Sequence, residues 1–436
     1  MAHHIVIIGS GPSGMTAAML LARQGHRITL VDRDPGPTPD RPGARSEWGC
    51  RNCITPTRSH GRMLLADRLP DVHDALLAAG AEVRLAPGMP ESMAGLHVRR
   101  PVMEQTIWEC TTREPGVHRM TGHVDEVVVL GDRARGVVVD GSFVPADLVV
   151  DASGRAGRLG AEHRPGSEGG PAGVAYATRQ YQLLPGATPG PTNGGPGLIK
   201  EHAGFMQLVF THDRGTFSLL LVRADDDAEL AELRHEHVFD AAVAALPESS
   251  AWTDPARARP IDRVRAGAGL VNSYQGQPTV LGFLAIGDAF CTTNPAGSRG
   301  LSLGMMAAAA LTDIVASRPV EQWAAALDDW GTAHVRPWFE EHIVADAWLR
   351  DSWRGVPTDP AGPIPWNLVA AAAMTHHPEW MRLLGPFLGM GAGPDVIDPL
   401  REEVRAMLLD GWRPAPPPGL TRDELAAVLQ DACVPA

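Results

Sequence analysis

The chain opens on HIVII at 4–8, a short β-branched apolar run of the kind that fills a parallel strand buried on both faces. After GSGPSG at 9–14, apolar residues recur at helical spacing through 15–25, and RITLVDRD at 27–34 predicts a second strand ending in acid. That succession is a βαβ unit. Residues 35–60, rich in Pro, Gly and Arg, predict an irregular excursion, and helical patterns return over 61–80 and 99–116. Strands and turns alternate over 117–150. Loops around a single strand, GVAYATRQYQLL, are expected over 160–200, then strands at 205–211 and 216–223 and a helix over 228–246. TVLGFLAIGDA at 279–289 predicts a strand ending in a turn, followed by a long apolar helix at 300–317. From 320 onward the pattern is mostly helical, broken by proline clusters at 356–365 and 414–418.

With 436 residues, 44% of them hydrophobic, the chain has material for a large core and two or three domains. Its 38 basic and 51 acidic residues leave a net charge of −13, Lys200 is the only lysine, and no segment concentrates basic charge, which argues against a nucleic-acid partner. The first residues run straight into a strand without the features of a signal peptide, and no run of about 18 apolar residues is evident, so no membrane span and a cytoplasmic location are expected. Five cysteines, an odd number, do not resemble a secreted disulfide framework.

Gly9, Gly11 and Gly14 lie between the first strand and helix, with Asp32 at the end of the next strand. In such a fingerprint the first glycine makes a tight turn, the second lets backbone approach a pyrophosphate, and the third allows close packing of helix on strand. Phosphates would meet free N–H groups at 12–16, and Asp32 would accept hydrogen bonds from an adenosine ribose. Ser13 and Arg33 join these as cofactor-binding candidates. Whether the dinucleotide is FAD or NAD, this motif leaves open.

A second glycine-punctuated turn, LGFLAIGDAFCTTNPAGSRGLSLGMMAAA at 281–309, decides for a flavin. Asp288 at the strand end suits a ribityl hydroxyl, and the N–H groups opening the next helix suit the flavin N1–C2=O edge, where negative charge accumulates. This segment resembles the flavin-binding end of the monooxygenases typified by para-hydroxybenzoate hydroxylase, G-D-A followed by P-x-G-x-[KR]-G-L-[NS]. Pro295, Gly297, Arg299, Gly300, Leu301 and Ser302 match in register, while Phe290 replaces the usual histidine. RRPVMEQTIWE resembles the family helix whose arginine, here Arg100, reaches FAD, and Val124 matches the strand position whose backbone meets adenine. ADLVVDASGRAGRLG at 146–160 resembles the family's A-D-L-[LV]-[LV]-x-A-D-G-x-x-S segment, giving Gly154 as a further contact, but Ser153 stands in place of its second aspartate and Gly157 in place of its serine. The DASGR form is more similar to two-component epoxidases, flavin-dependent halogenases and prenyl reductases, and the whole is similar to actinobacterial FAD-dependent epoxidases and hydroxylases of natural-product pathways.

Pattern and resemblance together predict an α/β fold: a Rossmann-type FAD-binding domain interleaved with an α+β substrate domain, plus a C-terminal helical region. The expected boundaries are 1–165 and 276–330 for the FAD domain, 166–275 for the substrate sheet and 331–436 for the helices. The resemblance implies a monooxygenase in which reduced FAD and O2 form a C4a-hydroperoxide that oxygenates a hydrophobic, natural-product-like molecule by epoxidation or hydroxylation. Electrons would come from NAD(P)H or from reduced flavin supplied by a partner reductase; the altered DASGR segment favours the partner. No catalytic side chain is assigned. Asn294 and Pro295 are flavin-edge candidates, Tyr176, Arg179 and Tyr181 are pocket candidates, and Arg51, beside Trp48, is preferred to Arg45 and Arg58 as a phosphate clamp. Three other readings compete: a prenyl-reductase-type reductase or dehydrogenase, a non-catalytic flavin-binding protein, and a disulfide reductase using Cys50 and Cys53. The last is disfavoured because this pair is two residues apart rather than four and no second GxGxxG follows a strand. No metal site is assigned, since neither THH at 375–377 nor RHEH at 234–237 has ligand spacing.

Overall fold

The computed structural model describes residues 2–37 and 56–433, apart from 86, 87, 89, 156, 158, 194 and 196. It divides into two compact units, one comprising Met1–Ala81, Arg99–Gly170 and Asn272–Glu340, the other Glu82–Val98, Pro171–Val271 and Glu341–Ala436. The fold is α/β, a Rossmann-like domain with added sheets and a helical C-terminal region.

In the first unit β1 (His4–Ile8), α1 (Pro12–Arg23) and β2 (Arg27–Asp32) form the βαβ unit that the apolar pattern predicts. Pro12 is tolerated in the first turn of α1, where no N–H is needed. The parallel sheet runs, across its width, Phe283–Ala285, Leu148–Asp151, β1, β2 and Val117–Thr121. One face packs Val6, Ile8, Val149 and Phe283 against Val127, Val137 and Val139 of a three-stranded antiparallel sheet. The helix expected over 99–116 is Arg100–Arg113. The pattern over 61–80 is two helices, Ser59–Arg68 and Pro70–Ala79, because Pro70 drives Leu69 out of helical geometry (φ −139°, ψ 58°). The run 279–289 shrinks to the strand Phe283–Ala285, bounded by Gly282 and Gly287, both at positive φ.

Helix Gly300–Ser317 is long and apolar enough to cross a membrane, with a mean hydropathy of 1.5, which corrects the expectation that no such run occurs. More than half of it is buried within the protein. Met305, Ala308 and Leu311 are sealed from solvent, and the helix packs along α1 and against Trp323–His334, as a core helix does.

The second unit is built on an antiparallel sheet in the order Leu198–His202, Phe205–Thr211, Thr216–Ala224, Val174–Leu183 and Ala258–Pro260. Leu198–His202 was expected to be loop, and its Lys200 reaches Glu248 at 2.6 Å. The predicted helix over 228–246 is a 3-10 turn, Leu230–Arg234, then Glu236–Ala245, with His235 extended between them. One face of the sheet buries Tyr181, Phe217 and Leu219 against Phe239, Trp252 and Leu425 of the covering helices. Phe217 stacks on Tyr181 at 5.3 Å and meets Trp252 at 4.9 Å, fully buried between them. Removing the ring leaves a cavity that neighbours locked in a sheet cannot close, so Phe217→Ala is expected to cost about 3–5 kcal/mol, measured by denaturant unfolding.

Candidate functional site

The three glycine-punctuated turns follow three adjacent parallel strands, β1, Leu148–Asp151 and Phe283–Ala285, and so emerge together at the carboxyl edge of one sheet. Open α/β sheets bind ligands at this edge. Backbone hydrogen bonds fasten the turns to one another: Ala152 N donates to Ile8 O at 2.8 Å, and Ile286 N to Asp151 O at 2.9 Å.

Gly9 adopts φ +99°, and a Cβ there would lie 2.3 Å from the Ala152 carbonyl oxygen; at Gly14 one would lie 1.9 Å from Gly9 O. Gly11 differs from both. It caps the N-terminus of α1, and a Cβ on it would meet nothing within 4 Å. The space is open over a row of helix-opening N–H groups, which fits a phosphate. Ser13 turns the other way and fixes the third segment, since a Cβ on Gly304 would strike its Oγ at 2.2 Å and one on Gly287 at 2.8 Å. Asp32 shapes the fingerprint loop itself: one carboxylate oxygen accepts from Ser10 N and Oγ at 2.7 and 2.8 Å, the other from Asp34 N at 2.9 Å. Arg33 beside it is exposed, and Val124 is buried at the start of its strand.

In the second turn Ser153 donates N–H and O–H to one oxygen of Asp151, at 2.9 and 2.5 Å. The other oxygen faces buried Arg164 across 3.8 Å and has no hydrogen-bond partner. Burial pushes the Asp151 carboxyl up and the Arg164 guanidinium down, each moderated by the other's charge. Gly154 takes φ +85° with open space where a Cβ would be.

In the third turn Asp288 is open to solvent, with protein packed around it. Desolvation raises its pKa, opposed by the positive charges of Arg100 and Arg155. Arg100 is braced by Glu104 at 2.6 Å. An accessible carboxyl that protein crowds but does not hydrogen-bond is suited to a hydroxyl-bearing ligand. Gly300 and Leu301 open the long helix, half-buried, and Ser302 Oγ accepts from Arg58 N at 3.1 Å. Asn294 is buried, its N–H donated to Asn272 Oδ1 at 2.7 Å, and Pro295 is half-buried beside it.

Arg51, Arg45, Trp48, Cys50 and Cys53 lie outside the described residues. Within them it is Arg58, the less favoured arginine, that reaches the third turn: its Nη2 donates to Gly297 O at 2.9 Å, and burial pushes its pKa down to about 10. Sequence spacing carried no signal for this preference, because a chain contact across 239 positions has no local pattern.

Two pocket candidates need correction. Strand alternation places Arg179 and Tyr181 on the helix-covered face of the second unit's sheet. There Arg179 is spent on Asp240 at 2.9 Å and Glu236 at 3.2 Å, and Tyr181 belongs to the core. Tyr176 lies on the opposite face, half-buried, its ring over Gly267 of the paired strand. Glu201 and Asn367 were missed. They meet within the same unit, where burial raises the Glu201 carboxyl against the nearby Asn367 amide, whose Oδ1 is buried without a partner.

Residues 7–67 match the NAD(P)-binding Rossmann-like domain family. Kynurenine 3-monooxygenase of Salinispora arenicola is 31% identical over 166 residues, 34% of this chain and 36% of that protein. All-trans-zeta-carotene desaturase of Myxococcus xanthus is 47% identical over 34 residues, 8% of this chain and 6% of that protein. The matches thus span about a third or less of those relatives. Among solved structures, a flavin-dependent brominase triple mutant aligns over 94% of this chain and 99% of its own (TM-score 0.66, 18% identity). The myxobacterial chondrochloren halogenase, described as a variant of FAD-dependent halogenases, aligns over 97% and 99% (0.64, 18%). PqsL of Pseudomonas aeruginosa in complex with 2-aminobenzoylacetate aligns over 82% and 99% (0.62, 15%). At these identities the structures establish a shared fold.

If the open cradle and the crowded carboxyl serve one dinucleotide, two substitutions separate binding from folding. Gly11→Val fills the cradle and is expected to weaken FAD binding at least tenfold. Asp288→Asn removes a hydrogen-bond acceptor with charge, worth about 1.5–3 kcal/mol, or roughly 10- to 100-fold in affinity. A carboxyl with raised folded-state pKa keeps its proton where the unfolded chain has lost it, so stability declines as pH rises from the unfolded pKa through the folded one. Asp288→Asn should abolish that decline and leave the FAD-free protein at least as stable at pH 7, by thermal melts against pH.

Proposed function

We propose that this chain is an FAD-dependent monooxygenase acting on a hydrophobic organic substrate. The observation that carries the reading is the convergence of three glycine-punctuated turns on one sheet edge, with an open phosphate cradle at Gly11 and an accessible acid at Asp288. A Rossmann match at one end of the chain and the fold shared with flavin-dependent enzymes support it.

The described residues fit a flavin. N–H groups at the start of α1 would hold its phosphates, Asp288 its ribityl chain, and the opening turn of Gly300–Ser317 the ring edge. When bound, FAD supplies the two-electron chemistry that activates O2. The chain's own contribution is positioning and exclusion of water. Asn272 fixes the backbone at Asn294, and the packing of Ser13 on Gly287 and Gly304 holds the fingerprint and the third turn at one spacing. Epoxidation and hydroxylation of the substrate are both accessible outcomes of that chemistry. The natural-product-like class of the substrate, and a flavin reductase as electron donor, belong to the same proposal. The Ser153 variant of the second turn favours that donor over direct use of NAD(P)H.

Purified protein reconstituted with FAD should show a flavin spectrum. Mixed anaerobically with NADH or NADPH in a stopped-flow instrument, it should bleach slowly or not at all, whereas chemically reduced enzyme should consume O2 on mixing. Rapid bleaching by either nucleotide rejects the two-component arrangement. Incorporation of oxygen-18 from O2 into an alkene or aromatic substrate is the expected product signature, and product formed without O2 selects the reductase alternative.

A further inference from the structure

Arg58 is a half-buried cation that, among the described residues, has no anion beside it. Its Nη2 has only the Gly297 carbonyl, its Nε is sealed from solvent without a hydrogen-bond partner, and among the described residues no carboxylate pairs with it. Several other guanidiniums among the described residues are matched by a carboxylate: Arg164 by Asp151, Arg179 by Asp240, Arg401 by Glu341 and Arg422 by Asp227. An isolated charge in such a setting is strongly disfavoured.

Local structure deepens the imbalance. Arg58 immediately precedes the helix Ser59–Arg68, and its N–H bonds Ser302 in the first turn of the helix Gly300–Ser317. Two helix N-termini, each with partial positive charge, therefore meet where the guanidinium sits. The nearby acid does not answer it, because Asp288 couples to Arg100 and Arg155.

We propose that Arg58 is the receptor for a carboxylate or comparable oxyanion carried by the otherwise apolar substrate, held beside the Asn294–Ser302 loop. The assignment to substrate rests on the flavin reading of that loop; the need for an anion does not. A phosphate of the cofactor would use the same chemistry, and the measurement must tell the two apart.

The test is a set of thermal melts of the full chain, FAD-free and FAD-loaded, at constant ionic strength. The probes are benzoate and octanoate, their neutral amides, and inorganic phosphate. Both carboxylates are expected to raise the melting temperature saturably with and without FAD, and the amides and phosphate are not. Arg58→Met should weaken carboxylate binding at least tenfold without lowering the melting temperature of the unliganded protein, since it removes an unmatched charge; a purely structural arginine would destabilise on removal. Arg58→Lys keeps the charge and should retain weakened, carboxylate-selective binding, which covers the case of a Met variant that fails to fold. Equal response to amides, no carboxylate response in the wild type, or an undiminished response in Arg58→Met and Arg58→Lys would overturn the proposal. Loss of the carboxylate response on FAD loading, together with tight phosphate binding, would assign Arg58 to the cofactor and overturn the substrate assignment alone. A carboxylate response in a protein that never binds FAD would overturn the flavin reading and leave the receptor standing.

Discussion

Segments of chain nearly 300 residues apart can share one sheet edge only if their backbones come closer than side chains permit, and glycine at a few positions makes that approach. Gly9 lies on the Ala152–Ser153 backbone, Gly14 on Gly9, and Gly304 on Ser13. A methyl group at Gly9 or Gly14 would force the turns apart by about an ångström or more, because the nearest atoms it would meet are backbone, whereas at Gly304 it would first displace the Ser13 side chain. The apolar strands below supply the cohesion, with Ile5, Ile7, Leu148, Val149 and Phe283 fully buried. Burial holds the sheet together, and the glycines decide what its edge can accommodate.

That edge also organises charge. Carboxylates and guanidiniums gather where the strands end, but they are not simply paired off. Asp32 is consumed by its own loop, Asp151 and Arg164 face each other across a gap longer than a hydrogen bond, and Asp288 is crowded by protein while remaining open to ligand. Incomplete satisfaction of this sort costs stability, and it is found where a ligand completes the set. The second unit behaves differently. Its polar contacts, such as Arg422 with Asp227 at 2.8 Å and Lys200 with Glu248 at 2.6 Å, are satisfied within the fold and read as structural.

The parts legible in sequence are those whose determinants are local. β1, α1 and β2 follow from apolar spacing and three glycines, and Gly300–Ser317 from unbroken hydrophobicity. The break at Leu69 also has a local cause, Pro70, which the helical pattern over 61–80 passed over. Side-chain facing was the hardest to read. Tyr176, Arg179 and Tyr181 were all offered as pocket residues, but which face of their strand helices would cover depends on Glu236–Ala245 and Arg422–Cys433, from quite different parts of the chain. Arg58, Glu201 and Asn367 were illegible for the same reason: each has its meaning only against a partner far away in sequence.

The two departures in the second turn illustrate the converse, a pair of sequence anomalies that structure makes one. Ser153 and Gly157 stand where the family pattern has an aspartate and a serine, and in sequence they look like independent losses. The Ser153 hydroxyl occupies the space a Cβ on Gly157 would need, 1.8 Å from it, so a serine at 157 is incompatible with this placement of Ser153. An aspartate at 153 would set a second carboxylate against Asp151, already buried with only Arg164 to balance it, and like charges at that separation disfavour joint ionisation. Serine donates to Asp151 instead and spares the turn that repulsion. The backbone contact with Gly9 is untouched by either exchange, so the turn keeps the geometry on which the fingerprint depends while its charge is redistributed toward the sheet.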